Sequence, residues 1–171
     1  KKFEISNGSN GTNNLILSYA DANERHDYFI GINSFSTDGI SAMNDNDEKD
    51  KYQNDGLIAN YGYKINDKLK LENSLRYNDS FLNYDTVNVS YGDEDTSTDD
   101  TQASNSLRLI FDNGNSKNTL FYNKYYTRRD TSDYTNKKLH YTGHRDSINF
   151  VGEYNFNLDT KIVYGLDNEF D

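Results

Sequence analysis

The chain has 171 residues, 18 basic against 28 acidic, a formal charge of −10, and no Cys, Pro or Trp. The missing cysteines exclude disulfides, thiolate metal sites and thiol nucleophiles. The acidic balance argues against a nucleic-acid binder, which needs a basic stripe to displace counterions. Only 33% of residues are hydrophobic while 14% are aromatic, too few aliphatics for a roomy soluble core and too many rings for an ordinary disordered tail.

In chain order, Lys1-Lys2-Phe3-Glu4 already has a strand pattern and carries no signal-peptide signature. Around Leu15-Leu17-Tyr19 and Tyr28-Ile30-Ile32 the apolar residues recur every second position, blurred by Ile16, Phe29 and Phe35. The alternation sharpens further on. Leu57, Ala59, Tyr61, Tyr63 and Ile65 oppose Ile58, Asn60, Gly62 and Lys64. Leu69, Leu71, Leu75 and Tyr77, with Asn73, oppose Lys70, Glu72, Ser74, Arg76 and Asn78. Leu107, Leu109 and Phe111 oppose Ser106, Arg108 and Ile110. From Leu120 to Tyr126 both faces carry Tyr, and the pattern is ambiguous. Ile162, Tyr164, Leu166 and Phe170 oppose Lys161, Val163, Gly165 and Asp167. Period two is the strand signal, and it predicts nine strands over 1–10, 13–22, 26–37, 54–65, 68–83, 101–112, 117–129, 145–156 and 161–170.

The connections carry as much information as the strands. Short turns rich in Asn, Asp and Gly are expected at 22–25, 66–67, 112–115 and 157–159. Long polar connections are expected at 38–53, 84–100 and 130–144. After a first short link around Gly8-Ser9-Asn10-Gly11, short and long alternate. No window approaches the roughly 18 consecutive apolar residues of a transmembrane helix. Short turns at one end, long loops at the other and apolar-out, polar-in strands are the pattern of an outer-membrane barrel, whose aromatic residues gather in girdles at the two interfaces.

The predicted fold is therefore all-β: a segment of an antiparallel up-and-down transmembrane β-barrel of about nine strands, with residues 1–171 forming part of one β-barrel domain. A soluble β-sandwich with one wet face and a secreted repeat adhesin are the alternatives, although no repeat of constant period supports the second. Bacterial single-chain barrels normally have an even strand count, and lipid does not tolerate open edges. The sheet is thus expected to be an incomplete barrel in which the first and last strands do not pair. Leu57, Tyr61, Leu69, Leu71, Leu75, Leu107 and Leu109 are expected to face lipid, and a charge at Leu71 to be costly if it lies near the bilayer midplane. Lys64, Lys70, Glu72, Arg76 and Arg108 are expected on the other face, meeting either a plug domain or a water-filled channel.

Ser36-Thr37-Asp38-Gly39-Ile40-Ser41-Ala42-Met43, followed by Glu48-Lys49-Asp50-Lys51-Tyr52-Gln53-Asn54-Asp55, resembles the second extracellular hairpin of TonB-dependent outer-membrane receptors, and specifically the vitamin B12 (cobalamin) transporter group. Tyr61-Gly62-Tyr63-Lys64-Ile65-Asn66-Asp67-Lys68-Leu69 and Leu75-Arg76-Tyr77-Asn78-Asp79-Ser80 extend the resemblance, which covers most of the chain and is strongest from about residue 30 to 86. Each motif is weak singly; their order on consecutive strands is moderately specific. The resemblance implies a barrel of about 22 strands filled by a plug, in the outer membrane of a Gram-negative bacterium. Extracellular loops would capture a scarce small-molecule ligand, and TonB would drive its release inward. Neither plug nor TonB box is in this sequence. The implied function is active transport of cobalamin. A siderophore or haem receptor of the same family is one alternative; a passive porin or a structural or adhesive barrel is another. The partners implied are outer-membrane lipid, the protein's own plug domain, TonB, and a corrinoid or siderophore, with no nucleic acid.

Two loops are acidic: Asp45, Asp47, Glu48 and Asp50 in 38–53, and Asp93, Glu94, Asp95, Asp99 and Asp100 in 84–100. Carboxylates suit Ca²⁺, which takes about 6–8 oxygen ligands, but such runs are usually solvated charge. Neither is an EF-hand, since Asp93-x-Asp95-x-Ser97 lacks the required Gly and the closing Glu. The family resemblance implies calcium at Asp38, Asp55, Tyr84, Asp85 and Asp100, with Gln53 replacing an expected Asp and Asp99 able to stand in for Asp100. Ligand binding is assigned no residues beyond loops 38–53 and 84–100. His140 and His144 lie four apart, which on a strand is about 13 Å, and polar loop histidines are the simpler account. Arg128-Arg129-Asp130 suits either lipid phosphates or a rim ion pair with Asp130 or Asp133, the rim being favoured. No Gly-rich phosphate loop or catalytic triad spacing occurs, and the expected answer is not an enzyme.

Overall fold

The computed structural model describes residues 1–40, 49–88, 92–133, 135, 137–157 and 159–170, with the side chains of 86–88 and 92–95 left aside. Nine strands form one sheet in sequence order: β1 (Lys2–Asn7), β2 (Asn13–Ala22), β3 (His26–Thr37), β4 (Tyr52–Asn66), β5 (Leu69–Asn88), β6 (Gly92–Asp112), β7 (Ser116–Ser132), β8 (Lys138–Asn155) and β9 (Lys161–Phe170). Every neighbouring pair is antiparallel, and β1 and β9 are the two edges. The sheet is all-β, up-and-down and not closed into a barrel, as the odd strand count anticipated.

The short turns form for a local reason. Asn23 Oδ1 accepts from the backbone N–H groups of Arg25 and His26, each at 2.9 Å. Asn66 Oδ1 accepts from Lys68 N–H at 2.9 Å, Asn113 Oδ1 from Ser116 N–H at 2.8 Å, and Asn157 Oδ1 from Asp159 N–H at 2.9 Å. An Asn side chain thus supplies the acceptor that the reversing backbone lacks. Gly114 adds the left-handed conformation (φ 89°) that the β6–β7 turn needs.

Two expected loops turn out to be mostly strand. Segments 84–100 and 130–144 continue the ladders: β5 pairs with β6 as far as Asn88 and Gly92, and β7 with β8 as far as Ser132 and Lys138. The last β4–β5 pair is Tyr52–Leu82, so β5 runs six residues, about 20 Å, beyond its neighbour. In sequence these segments are mostly polar and rich in Thr, Ser and Tyr. Such a hairpin can stand in water without an apolar side, so the alternation used to find strands has nothing to register there. The segment 38–53 keeps non-strand residues at 38–40 and 49–51, and 41–48 lie outside the described residues.

Among the described residues no hydrophobic side chain is buried. The molecule is a single layer, and its apolar atoms have nothing in the structure to pack beneath.

Candidate functional site

The functional feature of this sheet is the contrast between its two faces. The register places Leu17, Ile32, Leu57 and Tyr77 in one cross-strand row. Tyr63, Leu71, Leu109, Leu120, Phe150 and Leu166 form another on the same face. All seven expected lipid-facing residues lie on this face. Leu75, Leu107, Leu109 and Tyr61 are exposed, and Leu57, Leu69 and Leu71 half-exposed. Its rings concentrate toward the short-turn end. His26 stacks on Tyr63 with centroids 4.9 Å apart and contacts the Tyr61 hydroxyl through Nδ1 at 2.8 Å. Tyr154 meets Phe156 edge-on at 4.8 Å. Tyr164 lies across Gly152, where a Cβ would collide with its ring, and donates its hydroxyl to Asn118 Oδ1 two strands away at 2.7 Å.

The opposite face is polar and largely pairs with itself. Asn33 Nδ2 donates to Asn54 Oδ1 (3.2 Å), and Asn54 Nδ2 to Asn78 Oδ1 (2.9 Å). Ser74 donates to Asn60 (2.7 Å). Ser106 donates to Asn123 (2.7 Å), Asn123 to Asn149 (3.2 Å), and Asn149 to Asp167. Toward the turn end an ionic chain crosses four strands: Asp27–Lys70 (2.9 Å), Lys70–Glu72 (3.0 Å) and Glu72–Arg108 (2.8 Å). Gly62 sits in the ladder between Asp27 and Glu72, and a Cβ there would collide with the Asp27 carboxylate. The missing side chain is what lets the Asp27 carboxylate reach Lys70. Lys64, Lys70, Glu72, Arg76 and Arg108 all share this face, as their alternation anticipated. Asp27 and the asparagine chain went unread in the sequence, although both follow from the same parity.

The five residues implied for calcium are not assembled into one coordination sphere. Asp55 pairs opposite Asp79 on the apolar-side face, while Asp100 pairs opposite Ser80 on the polar one. Asp85 shares Asp55's face but lies six residues along from Asp79, about 20 Å away. Tyr84 shares the face of Asp100, four residues further out along the hairpin. Asp100, at 8% exposure, is held by the Arg129 guanidinium and accepts from Gln102 Nε2 at 3.3 Å. Asp38 binds the Asn10 carbonyl through its N–H (2.9 Å) and lies 3.9 Å from Lys49. Asp99 faces away from Asp100, as adjacent strand residues must. This set does not fit one ion. Of the acidic runs, Asp45, Asp47 and Glu48 lie outside the described residues, as do the side chains of Asp93, Glu94 and Asp95. No group of three or more metal-ligating side chains occurs among the described residues.

At the outer end of β7, Arg128 pairs with Asp130 at 2.6 Å, and Asp130 also contacts His140 Nδ1. Arg129 points to the other face, toward Asp100. His140 and His144 sit in β8 rather than in a loop. The β7–β8 tip is an Asx-type turn in which Asp133 accepts from Thr135 Oγ1 (2.6 Å) and from the backbone N–H groups of Thr135 and Lys137 (2.9 Å each). The Thr135 hydroxyl is the main cause that lowers the Asp133 pKa below its ordinary 3.8, with the two backbone donors assisting.

No protein-family model matches this chain, and comparison with curated proteins gives no match.

Proposed function

We propose that this chain is part of the wall of an outer-membrane β-barrel, belonging to a TonB-dependent receptor of the cobalamin type. The observation that carries the membrane location is the pairing of a continuous apolar face, without any buried hydrophobic side chain among the described residues, with a polar face whose side chains largely pair with one another. A soluble single-layer sheet would leave that apolar face in water. At about 25 cal/mol per Å² it gains only by being covered. Lipid does so without a second layer, and the ring-rich band near the turns suits a membrane interface. The edges β1 and β9 must then be covered by further strands, because hydrocarbon does not solvate open ladders. The receptor assignment rests on the sequence resemblance from residue 30 to 86. The extended β5–β6 and β7–β8 hairpins suit capture of a ligand above the membrane.

A passive pore is the competing reading. It is favoured by the Asp27–Lys70–Glu72–Arg108 chain, which is complete without a plug and would line a water-filled channel as it stands.

The test is expression of the complete protein in a Gram-negative host lacking its own corrinoid receptor, followed by fractionation and uptake of labelled vitamin B12 with and without TonB. Outer-membrane location with TonB-dependent uptake is the expected result. Uptake of a ferric siderophore or haem instead reassigns the ligand. Uptake independent of TonB moves the protein to the pore class, and recovery as a soluble monomer overturns the membrane reading.

A further inference from the structure

Arg76 differs from the other strand arginines. Arg108 holds Glu72, Arg128 holds Asp130, Arg129 holds Asp100, and Arg145 holds Glu169. Arg76 makes no ion pair or hydrogen bond among the described residues. It is exposed at mid-strand on the polar face, in a row with Ile58, Ser104 and Tyr125. In the next row Gly56 stands opposite Asn78, and the Asn33 amide takes the space its missing side chain leaves. A depression of about 260 Å³ opens there, and no carboxylate lines it. In a chain with 28 acidic residues, an acid-free hollow around an unpaired guanidinium stands apart.

The neutral groups beside Arg76 add donors. The Asn78 carbonyl is occupied by Asn54 Nδ2 at 2.9 Å, which leaves the Asn78 NH₂ available. The hydroxyls of Ser104 and Tyr125 make no hydrogen bond among the described residues. One fixed positive charge with neutral donors around it balances one negative charge. This favours a carboxylate over a phosphate dianion, and the planar guanidinium fork matches carboxylate geometry.

We propose that Arg76 and the hollow beside it form a carboxylate-binding subsite, with the Asn78 amide and the Ser104 hydroxyl as secondary donors. The carboxylate belongs either to an acidic side chain of polypeptide laid against this face or to a diffusible ligand. The subsite stands on the polar face alone and holds whether the apolar face meets lipid or protein.

The test uses the complete protein, ¹⁵N-labelled at arginine and held in detergent, with the Arg76 Nε–Hε resonance assigned by its loss in Arg76→Lys. Acetate is titrated against chloride at matched ionic strength. A saturable shift of that resonance with acetate and not with chloride identifies a site open to a diffusible carboxylate. A resonance that ignores acetate but exchanges with solvent about tenfold or more slowly than free arginine, as a bidentate pair would make it, identifies a site already filled by an acidic side chain. A resonance that ignores acetate and exchanges as fast as free arginine overturns the proposal, as does an equal response to both anions. All four outcomes are read on the unmodified protein, and Arg76→Lys serves only to assign the resonance.

Discussion

The two faces of this sheet share one backbone, yet they solve the same problem differently. On the polar face, side chains reach across the ladder to one another: Asn54 to Asn78, Ser106 to Asn123, Glu72 to Arg108. On the other, Leu75, Leu107 and Leu109 stand beside one another with their outer surfaces open. The polar face is partly complete in itself, whereas the apolar face has no covering layer among the described residues. A sheet whose apolar face is bare among the described residues gains most from an apolar cover.

The comparison breaks most sharply if charge is placed on the apolar face. Leu71 is the less informative position for that experiment, because it lies two residues inside Leu69, where β5 leaves the short turn, among the turn-end rings. Leu75, four residues further along, is nearer the middle of the apolar band. Leu75→Arg is expected to destabilise the complete protein by about 2–4 kcal/mol and Leu71→Arg by roughly 0–1 kcal/mol, following the depth dependence of charge in outer-membrane barrels. Unfolding titrations in lipid vesicles measure both. Equal costs at the two positions would remove the membrane axis from the picture.

A smaller effect is expected on the polar face. Glu72→Gln removes the carboxylate shared by Lys70 and Arg108. The Glu72 side chain is 22% exposed and that of Arg108 43%, so solvent screening limits the loss to about 1 kcal/mol. The same titration reads it, and a loss as large as that of Leu75→Arg would mean that this face is drier than its polar surface implies.

The smallest effect lies outside both faces, at the β7–β8 tip. The Asp133 pKa is lowered in the folded state, so its contribution is present above the ordinary value of 3.8 and disappears as pH falls through the still lower folded value. Hydrogen exchange of the Thr135 and Lys137 amides is expected to stay slow at pH 5 and to accelerate only below the ordinary aspartate range. Asp133→Ala should remove the protection at every pH, leaving the two faces unaffected. Protection that survives Asp133→Ala would assign the order of the tip to the strands rather than to the Asx-type turn.

Much of this was legible in the sequence because a strand displays its faces at a period that needs no tertiary information. The alternations from Leu57 to Tyr77 and from Ser106 to Phe111 assigned the seven apolar-face residues and the five charged ones to opposite sides, and the register places them there. The hairpin extensions were not legible, since the sequence of 84–100 is mostly polar and gives no sustained apolar alternation. That the residues implied for calcium are not drawn together has the same root. Asp55 and Asp100 both read as loop-end acids, and only the ladder reveals that they occupy opposite faces.

By itself the sequence determined the all-β class, the strand order of an up-and-down sheet, the sites of the Asn-rich turns and the two-faced character of the strands. All of these follow from local backbone chemistry and a two-residue period. Tertiary structure alone decided which strand residues stand opposite one another. That register joins Asp27 to Lys70 across the gap left by Gly62, commits Asp100 to Arg129, and leaves Arg76 beside a hollow that no carboxylate lines. Asp27 and Lys70, or Asp100 and Arg129, lie tens of residues apart in the chain, and no local pattern encodes that they will meet.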